Sequence, residues 1–286
     1  MKRRIERVVV LTHGDPSVAA GPLERSLALL RDRGVAISAP PAEWDKHETL
    51  LSEVGRASKV TGESDLEGVD LCLVLGGDGT MLRGFHLTRD LDTPVAGVNL
   101  GRVGFLTTIL SERLEDGLDE LLAGAYTEHP LLGLRARLGH SVFRATNDVV
   151  IGKGDRSHAS SLALRINGVT LFEVLCDGVV VGTPAGSSAY SLAAGGPLLG
   201  ISVEAYVISL VAPHAVGVRP VVAAPDDVLE VTNTADDEDC SIDIDGQRVA
   251  VLPAGAVLEI KTEPAVASLA LLEGDSLYHH FRDRLL

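Results

Sequence analysis

Asp78 is the first residue that invites a chemical question. It stands in Gly76-Gly77-Asp78-Gly79-Thr80, directly after the apolar run Leu71-Cys72-Leu73-Val74-Leu75. The run reads as a buried strand and the glycines as a tight turn. A helical pattern begins at Thr80 and continues through Met81, Leu82 and Phe85. Glycines admit a ligand to backbone N–H groups, and the helix N-terminus that follows favours an anion. A carboxylate beside bound phosphate is repelled unless it has a task. Two tasks fit: accepting a proton from a nucleophilic hydroxyl, or helping to hold Mg²⁺. The plain alternative is that Asp78 only caps the helix. The strand–turn–helix setting, with a second Gly-rich loop at Asn99–Gly104 beyond the next strand, favours chemistry.

Two further stretches carry polar groups suited to a ligand. Asn147-Asp148 interrupts an otherwise strand-like run from Ser141 to Val150. An amide beside a carboxylate suits the hydroxyls and amino group of a nucleoside; taken alone, the pair equally fits the solvent face of an edge strand. The segment Cys176–Pro197 is a strand, a Thr183-Pro184-Ala185-Gly186-Ser187 turn, a short helix and a Gly195-Gly196-Pro197 break. Thr183, Ser187, Ser188, Tyr190 and Ser191 offer hydroxyls, and small Ala and Gly residues leave room. His214 and Arg219 could serve phosphate, although a lone His near a turn is more often structural. Asp245-Gly246-Gln247 reads as a hairpin turn. No Gly-Lys-[Ser/Thr] phosphate loop and no zinc-type spacing occur.

The elements that position these residues fall into two textures. Up to about residue 128 strands alternate with helices: strand Arg7–Thr12, helix Pro22–Asp32, strand Val35–Ser38, strand Val69–Leu75, helix Thr80–Thr88, strand Thr93–Val98, then a helix carrying Leu114, Leu118, Leu121 and Leu122. Pro40–Gly68 is polar and shows no clear pattern. The alternation implies an α/β domain with a parallel sheet, whose ligands sit beyond the carboxyl ends of the strands. Residues 129–267 instead show short β-type segments, with hairpin signals at Asn167-Gly168 and Asp245-Gly246. They imply a β-rich, antiparallel, sandwich-like domain. Residues 268–286 read as a strand and a helix, a tail expected to return to the first domain.

The chain has 286 residues and a formal net charge of −15, which argues against nonspecific nucleic-acid or membrane-surface binding. Aromatic residues are 3%, so the core is aliphatic. Cys72, Cys176 and Cys240 show neither metal nor disulfide spacing, as expected in a reducing cytoplasm.

Together these motifs resemble the NAD kinase family. Gly76-Gly77-Asp78-Gly79-Thr80, Asn99-Leu100-Gly101, Gly104-Phe105-Leu106, Asn147-Asp148, Asp177-Gly178, Thr183-Pro184-x-Gly186-Ser187, Ala189-Tyr190-Ser191-Leu192, Gly195-Gly196-Pro197, Pro213-His214, Arg219-Pro220 and Asp245-Gly246-Gln247 occur in that family's order. The first motif is shared with lipid kinases of the same superfamily; the later ones are specific. The resemblance implies phosphoryl transfer from ATP, or polyphosphate, to the 2′-hydroxyl of the adenosine ribose of NAD, with Mg²⁺, in a cytoplasmic homodimer or homotetramer. It implies that Asp78 is the base. Gly76, Gly77, Gly79, Thr80 and Arg83 would line the phosphates. Asn147 and Asp148 would bind the nucleoside, and His158, Asp177, Ser187, Ser188, Ala189, Tyr190, Ser191, Leu192, Ala193 and Gln247 would make further dinucleotide contacts. No protein metal ligand is assigned. Ala185 departs from the usual Thr or Ser, Ser188 from the usual Thr, and Leu175 stands where some members carry Arg. A lipid or sugar kinase, or a non-catalytic dinucleotide-binding regulator, are the competing readings.

Overall fold

The computed structural model describes residues 4–101, 104–154, 159–276, 278–279 and 282. The chain divides into two compact units, Met1–Pro130 with Ala267–Leu286, and Leu131–Val266.

The first unit is built on β1 (Arg7–Thr12), α1 (Pro16–Asp32), β2 (Ala36–Ala39), α2 (Pro41–Lys46), α3 (Glu48–Ser52), β3 (Ala57–Lys59), β4 (Leu71–Gly76), α4 (Asp78–Leu87), β5 (Pro94–Asn99), β6 (Ile109–Leu110) and α5 (Leu114–Leu122). The sheet runs β3-β2-β1-β4-β5 with every pairing parallel. Ser268 and Leu269, from the strand Val257–Leu272, add to it beside Pro94 and Val95. Every residue of β4 and β5 is buried, which is why both read as continuous apolar runs. Leu23, Leu27 and Leu30 of α1 and Leu114, Leu118 and Leu121 of α5 form the apolar faces that cover the sheet. Chain order reverses at the β1/β4 boundary: β2 and β3 lie on one side of β1, β4 and β5 on the other. That switch point is where α/β sheets open a crevice at their carboxyl ends, and the His13 N–H donates to Leu75 O across it (2.8 Å).

Three local expectations need correcting. Helix α1 begins at Pro16 rather than Pro22, because Asp15 caps it by accepting from the Ser17 N–H (2.9 Å). Helix α4 begins at Asp78 rather than Thr80, so the turn after β4 is Gly77 alone. The polar stretch 40–68 contains α2, α3, β3 and a 3₁₀ turn at Glu63–Leu66.

In the second unit, β7 (Tyr126–Leu138, entering from the first), β8 (Ser141–Ala145), β9 (Asp148–Gly152), β10 (Ser160–Ile166), β11 (Val169–Cys176), β12 (Gly178–Gly182), α6 (Tyr190–Ala193), β13 (Tyr206–Val211), β14 (Val221–Ala223), β15 (Leu229–Asn233), β16 (Cys240–Ile244), β17 (Gln247–Leu252) and β18 (Val257–Leu272) follow. One antiparallel sheet has the order β14-β13-β12-β9-β16-β17. Strands β11, β10, β15 and the first part of β18 make a second antiparallel set. Val149, Ile151, Val179, Val181, Ile208 and Ile242 of the first pack with Leu162, Leu164, Val231, Leu258 and Ile260 of the second in one core, a sandwich. Asn167-Gly168 and Asp245-Gly246 both turn with positive φ at each residue, as two-residue hairpins require. The run Ser141–Val150 is not one strand. It ends at Ala145 and resumes at Asp148, so that Thr146 and Asn147 stand between strands that pair with different partners. The tail beyond Ser276, read as helical, lies largely outside the described residues.

Candidate active site

In the first unit a cavity of about 570 Å³ lies at the switch point, lined by His13, Gly14, Gly76, Gly77, Gly79, Thr80, Arg83 and the Asn99–Gly101 turn, among others. The glycines of the motif differ in duty. A Cβ on Gly76 would run into the Thr80 side chain, so Gly76 is needed for the helix start to close on the strand. Gly77 and Gly79 face open space. They leave backbone bare at the α4 N-terminus, where an anion is favoured.

Asp78 lies between those two glycines at the first position of α4. Its Oδ2 accepts from the Phe105 N–H (2.9 Å) and its Oδ1 from the Leu106 N–H (3.0 Å). The loop after β5 therefore sets the direction of the carboxylate. Gly104 is needed there, since a Cβ would overlap Asp78 Oδ1. These two N–H bonds orient the Asp78 carboxylate.

Arg83, one turn into α4, meets an acid that no motif announced. Its Nη2 donates to Glu43 Oε1 (2.5 Å) and its Nη1 to Thr12 O (3.2 Å). Glu43 is only 2% exposed. Its Oε2 accepts from the Thr12 N–H (3.1 Å), the Thr12 hydroxyl (2.6 Å) and Lys46 Nζ (2.8 Å). The single Thr12 hydroxyl proton goes to Glu43, so that oxygen accepts from Lys46 (3.0 Å) and from His47 Nε2 (2.9 Å). Burial works to raise the Glu43 carboxyl, but the bonds from Lys46, Thr12 and Arg83 outweigh it and hold it below its usual range. Burial, and then the Lys46 charge, push His47 down, keeping it neutral. Glu43, Lys46 and His47 lie in the stretch that shows no clear pattern in the sequence. The Glu-x-x-Lys spacing in α2 is the one signal there, and it points only to a local ion pair.

In the second unit the sequence-distant motifs come together. The Asp245 carboxylate, at the hairpin tip, accepts from the N–H groups of Thr146 (2.9 Å), Asn147 (2.7 Å) and Asp148 (3.1 Å). It is therefore more than a turn residue: it holds the break that presents Asn147-Asp148. The Thr183-Pro184-x-Gly186-Ser187 turn is fastened to the same segment. The Thr183 N–H donates to Asn147 O (2.8 Å), and Thr183 Oγ1 donates to Thr146 O (2.7 Å) while accepting from Gly186 N–H (3.0 Å). A Cβ on Gly186 would collide with the Asn147 carbonyl. Asn147 Oδ1 is buried with no hydrogen-bond partner among the described residues. The Asp148 carboxyl is 5% exposed, and burial, then Asp245 and Asp243, push it up to about 7.

The hydroxyls of the loop divide against expectation. Thr183, Ser187 and Ser191 are fully buried and spent internally. Ser187 Oγ donates to Pro184 O (2.7 Å) and accepts from Leu199 N–H (3.0 Å), and Ser191 Oγ bonds Ser209 Oγ (3.1 Å). They shape the loop, because a polar group inside a tight turn must find its partner there. Ala189, Tyr190 and Ala193 are exposed and Ser188 and Leu192 half-buried, so these form the accessible face. Asp177 pairs with Lys153 (2.7 Å), and Gln247 is exposed at the start of β17. His158 lies outside the described residues.

Residues 20–126 match the ATP-NAD kinase N-terminal domain and residues 146–270 the ATP-NAD kinase C-terminal domain. An NAD kinase from Aromatoleum aromaticum is 36% identical over 289 positions, covering 98% of this chain and 93% of that protein. One from Mycolicibacterium paratuberculosis is 32% identical over 292 positions, covering 98% and 94%. Among solved structures, yeast NADH kinase complexed with NADH superposes with a TM-score of 0.86 at 20% identity, covering 99% of this chain and 88% of the other. An NAD kinase from Archaeoglobus fulgidus in complex with ATP gives 0.70 at 23% identity, covering 98% and 97%; at such identities the likeness is one of fold. Two matched domains and full-length relatives above 30% identity make the chain a member of the NAD kinase family, kinases that act on NAD.

Proposed function

We propose that the chain transfers the terminal phosphoryl group of ATP to the 2′-hydroxyl of the adenosine ribose of NAD, with Asp78 as general base. The observation that carries this reading is the fixed Asp78 carboxylate, flanked by two bare glycines that line a cavity with Arg83. A ribose hydroxyl is a poor nucleophile at neutral pH, and a positioned base is worth about 10²–10⁴-fold. Asp78 accepts the hydroxyl proton as the oxygen attacks phosphorus; the backbone N–H groups at the α4 N-terminus and the Arg83 guanidinium bind the phosphate oxygens.

No group of three or more His, Cys, Asp or Glu suited to a metal occurs among the described residues. Mg²⁺ is commonly bound by one or two carboxylates plus the substrate's phosphates rather than a protein cage, and its part here rests on the family resemblance. No carboxylate of the chain is assigned to the ion, which would be held through the donor phosphates and would neutralise charge on them. Asn147 and Asp148 read the nucleoside, the unpartnered Asn147 Oδ1 being an acceptor suited to an exocyclic amino group. Asp177, Ser188–Ala193 and Gln247 complete the dinucleotide contacts, with Ser187 and Ser191 acting through the loop's shape. Polyphosphate as an alternative donor, and assembly as a homodimer or homotetramer, belong to the same reading and rest on the family resemblance. A cytoplasmic setting is supported by three buried, unpaired cysteines; among the described residues no helix is long and apolar enough to cross a membrane.

Asp78→Asn tests the assignment. NADP formation from NAD, ATP and Mg²⁺ should fall by about 10²–10⁴-fold while NAD binding measured by calorimetry persists. Turnover near the wild-type value would remove Asp78 from the role of base.

A further inference from the structure

Glu43 is out of place on electrostatic grounds. An acid behind a phosphate cavity weakens anion binding, yet this one is almost wholly buried and fully bonded. Its two cations are used differently. Lys46 spends its three N–H groups on Glu43 Oε2 (2.8 Å), Thr12 Oγ1 (3.0 Å) and His13 O (3.1 Å), which leaves none for a ligand. Arg83 spends one N–H on Glu43 and one on Thr12 O, and the other three of its five have no protein acceptor among the described residues, where Arg83 lines the cavity. Two anchors on a planar guanidinium set its plane as well as its position. From this geometry we infer that Glu43 is a positioning residue, which aims Arg83 at the donor phosphates and gives up part of the cavity's anion affinity for that alignment. The inference rests on the kinase reading above.

Glu43→Gln removes the charge while keeping the size. The group Glu43–Lys46–Arg83 then carries two positive charges instead of one, and an amide N–H₂ must face either Arg83 or the three donors at Oε2. The KM for ATP should stay level or fall, because ground-state attraction for phosphate grows. The kcat should fall about 10- to 100-fold, the usual scale for a misaligned group. In an Arg83→Gln background the same Glu43→Gln change should cost no further kcat, since Glu43 acts only through Arg83. A risen KM with unchanged kcat overturns the inference, and so do losses that multiply in the double variant. Should Glu43→Gln not fold, Glu43→Asp keeps the charge and shortens the reach. A kcat equal to wild type in that variant overturns the inference as well. Wild-type NADP formation is read in the same assay, so failure of the kinase reading itself is seen separately.

Discussion

Replacing Asp148 by Asn should stabilise the protein at alkaline pH while harming its function. The Asp148 carboxyl has an ordinary value of 3.8 and is held at about 7 by burial, with Asp245 and Asp243 adding repulsion. The unfolded chain releases this proton near its ordinary value, whereas the folded chain keeps it to about 7. Between those limits the folded state binds more protons than the unfolded one, so its stability falls as pH rises. The stabilising proton is fully present below 3.8 and its contribution is gone above 7. A displacement of that size corresponds to about 4 kcal/mol at most. The asparagine side chain cannot ionise, so the variant's difference from wild type must itself depend on pH. Urea unfolding at about pH 4.5 and about pH 8 should show the variant gaining about 2–4 kcal/mol on wild type between the two conditions. The pH-independent cost of exchanging a hydroxyl for an amide cancels in that comparison. The KM for NAD should rise in parallel, because the carboxyl no longer serves the nucleoside. A difference that is the same at both pH values within about 0.5 kcal/mol, a typical extrapolation error, would refute the argument that Asp148 is forced to hold a proton by its surroundings.

Two further outcomes follow from the site. Gly104→Ala drives a methyl group into the Asp78 carboxylate; kcat should fall at least about tenfold, with a stability cost of about 1–3 kcal/mol typical of overpacking, and unchanged kcat would mean that Asp78 is not held where the reaction needs it. Tyr190, 45% exposed on the accessible face of its loop, should on replacement by Ala raise the KM for NAD several-fold and leave that for ATP alone; equal changes in both would show that the loop does not read NAD.

How much of this was legible in the sequence depended on the range of the interactions. Leu71–Gly76 announced itself because a strand buried on both faces has no polar alternation to obscure it. The turns Asn167-Gly168 and Asp245-Gly246 were equally plain, since their backbone demands particular residues. Pro22 misled, because proline more often opens a helix than lies within one; the Asp15 cap that starts α1 upstream was a weaker signal. Glu43 could not be read at all. Its partners Thr12 and Arg83 are 31 and 40 residues away, and only the parallel sheet brings them to one end. Side-chain direction was the other blind spot. Thr183, Ser187 and Ser191 look the same on paper as Ser188 and Tyr190, but the first three point inward and bond their own loop.

The long strand β18 has a consequence for how the protein is made. Its residues Ala270 and Leu272 belong to the core of the first unit, and Ser268 and Leu269 complete that unit's parallel sheet. On the ribosome, therefore, the first 130 residues emerge without a piece of their own core and wait until residue 267 and beyond have been translated. The second unit, Leu131–Val266, is contiguous and contains its whole sandwich core. Vectorial synthesis thus favours closing the later half first, the reverse of the usual N-terminal order. During that interval β5 lacks its neighbour beside Pro94 and Val95. The parallel sheet whose carboxyl ends line the cavity is then complete only once Ser268 and Leu269 have been added there.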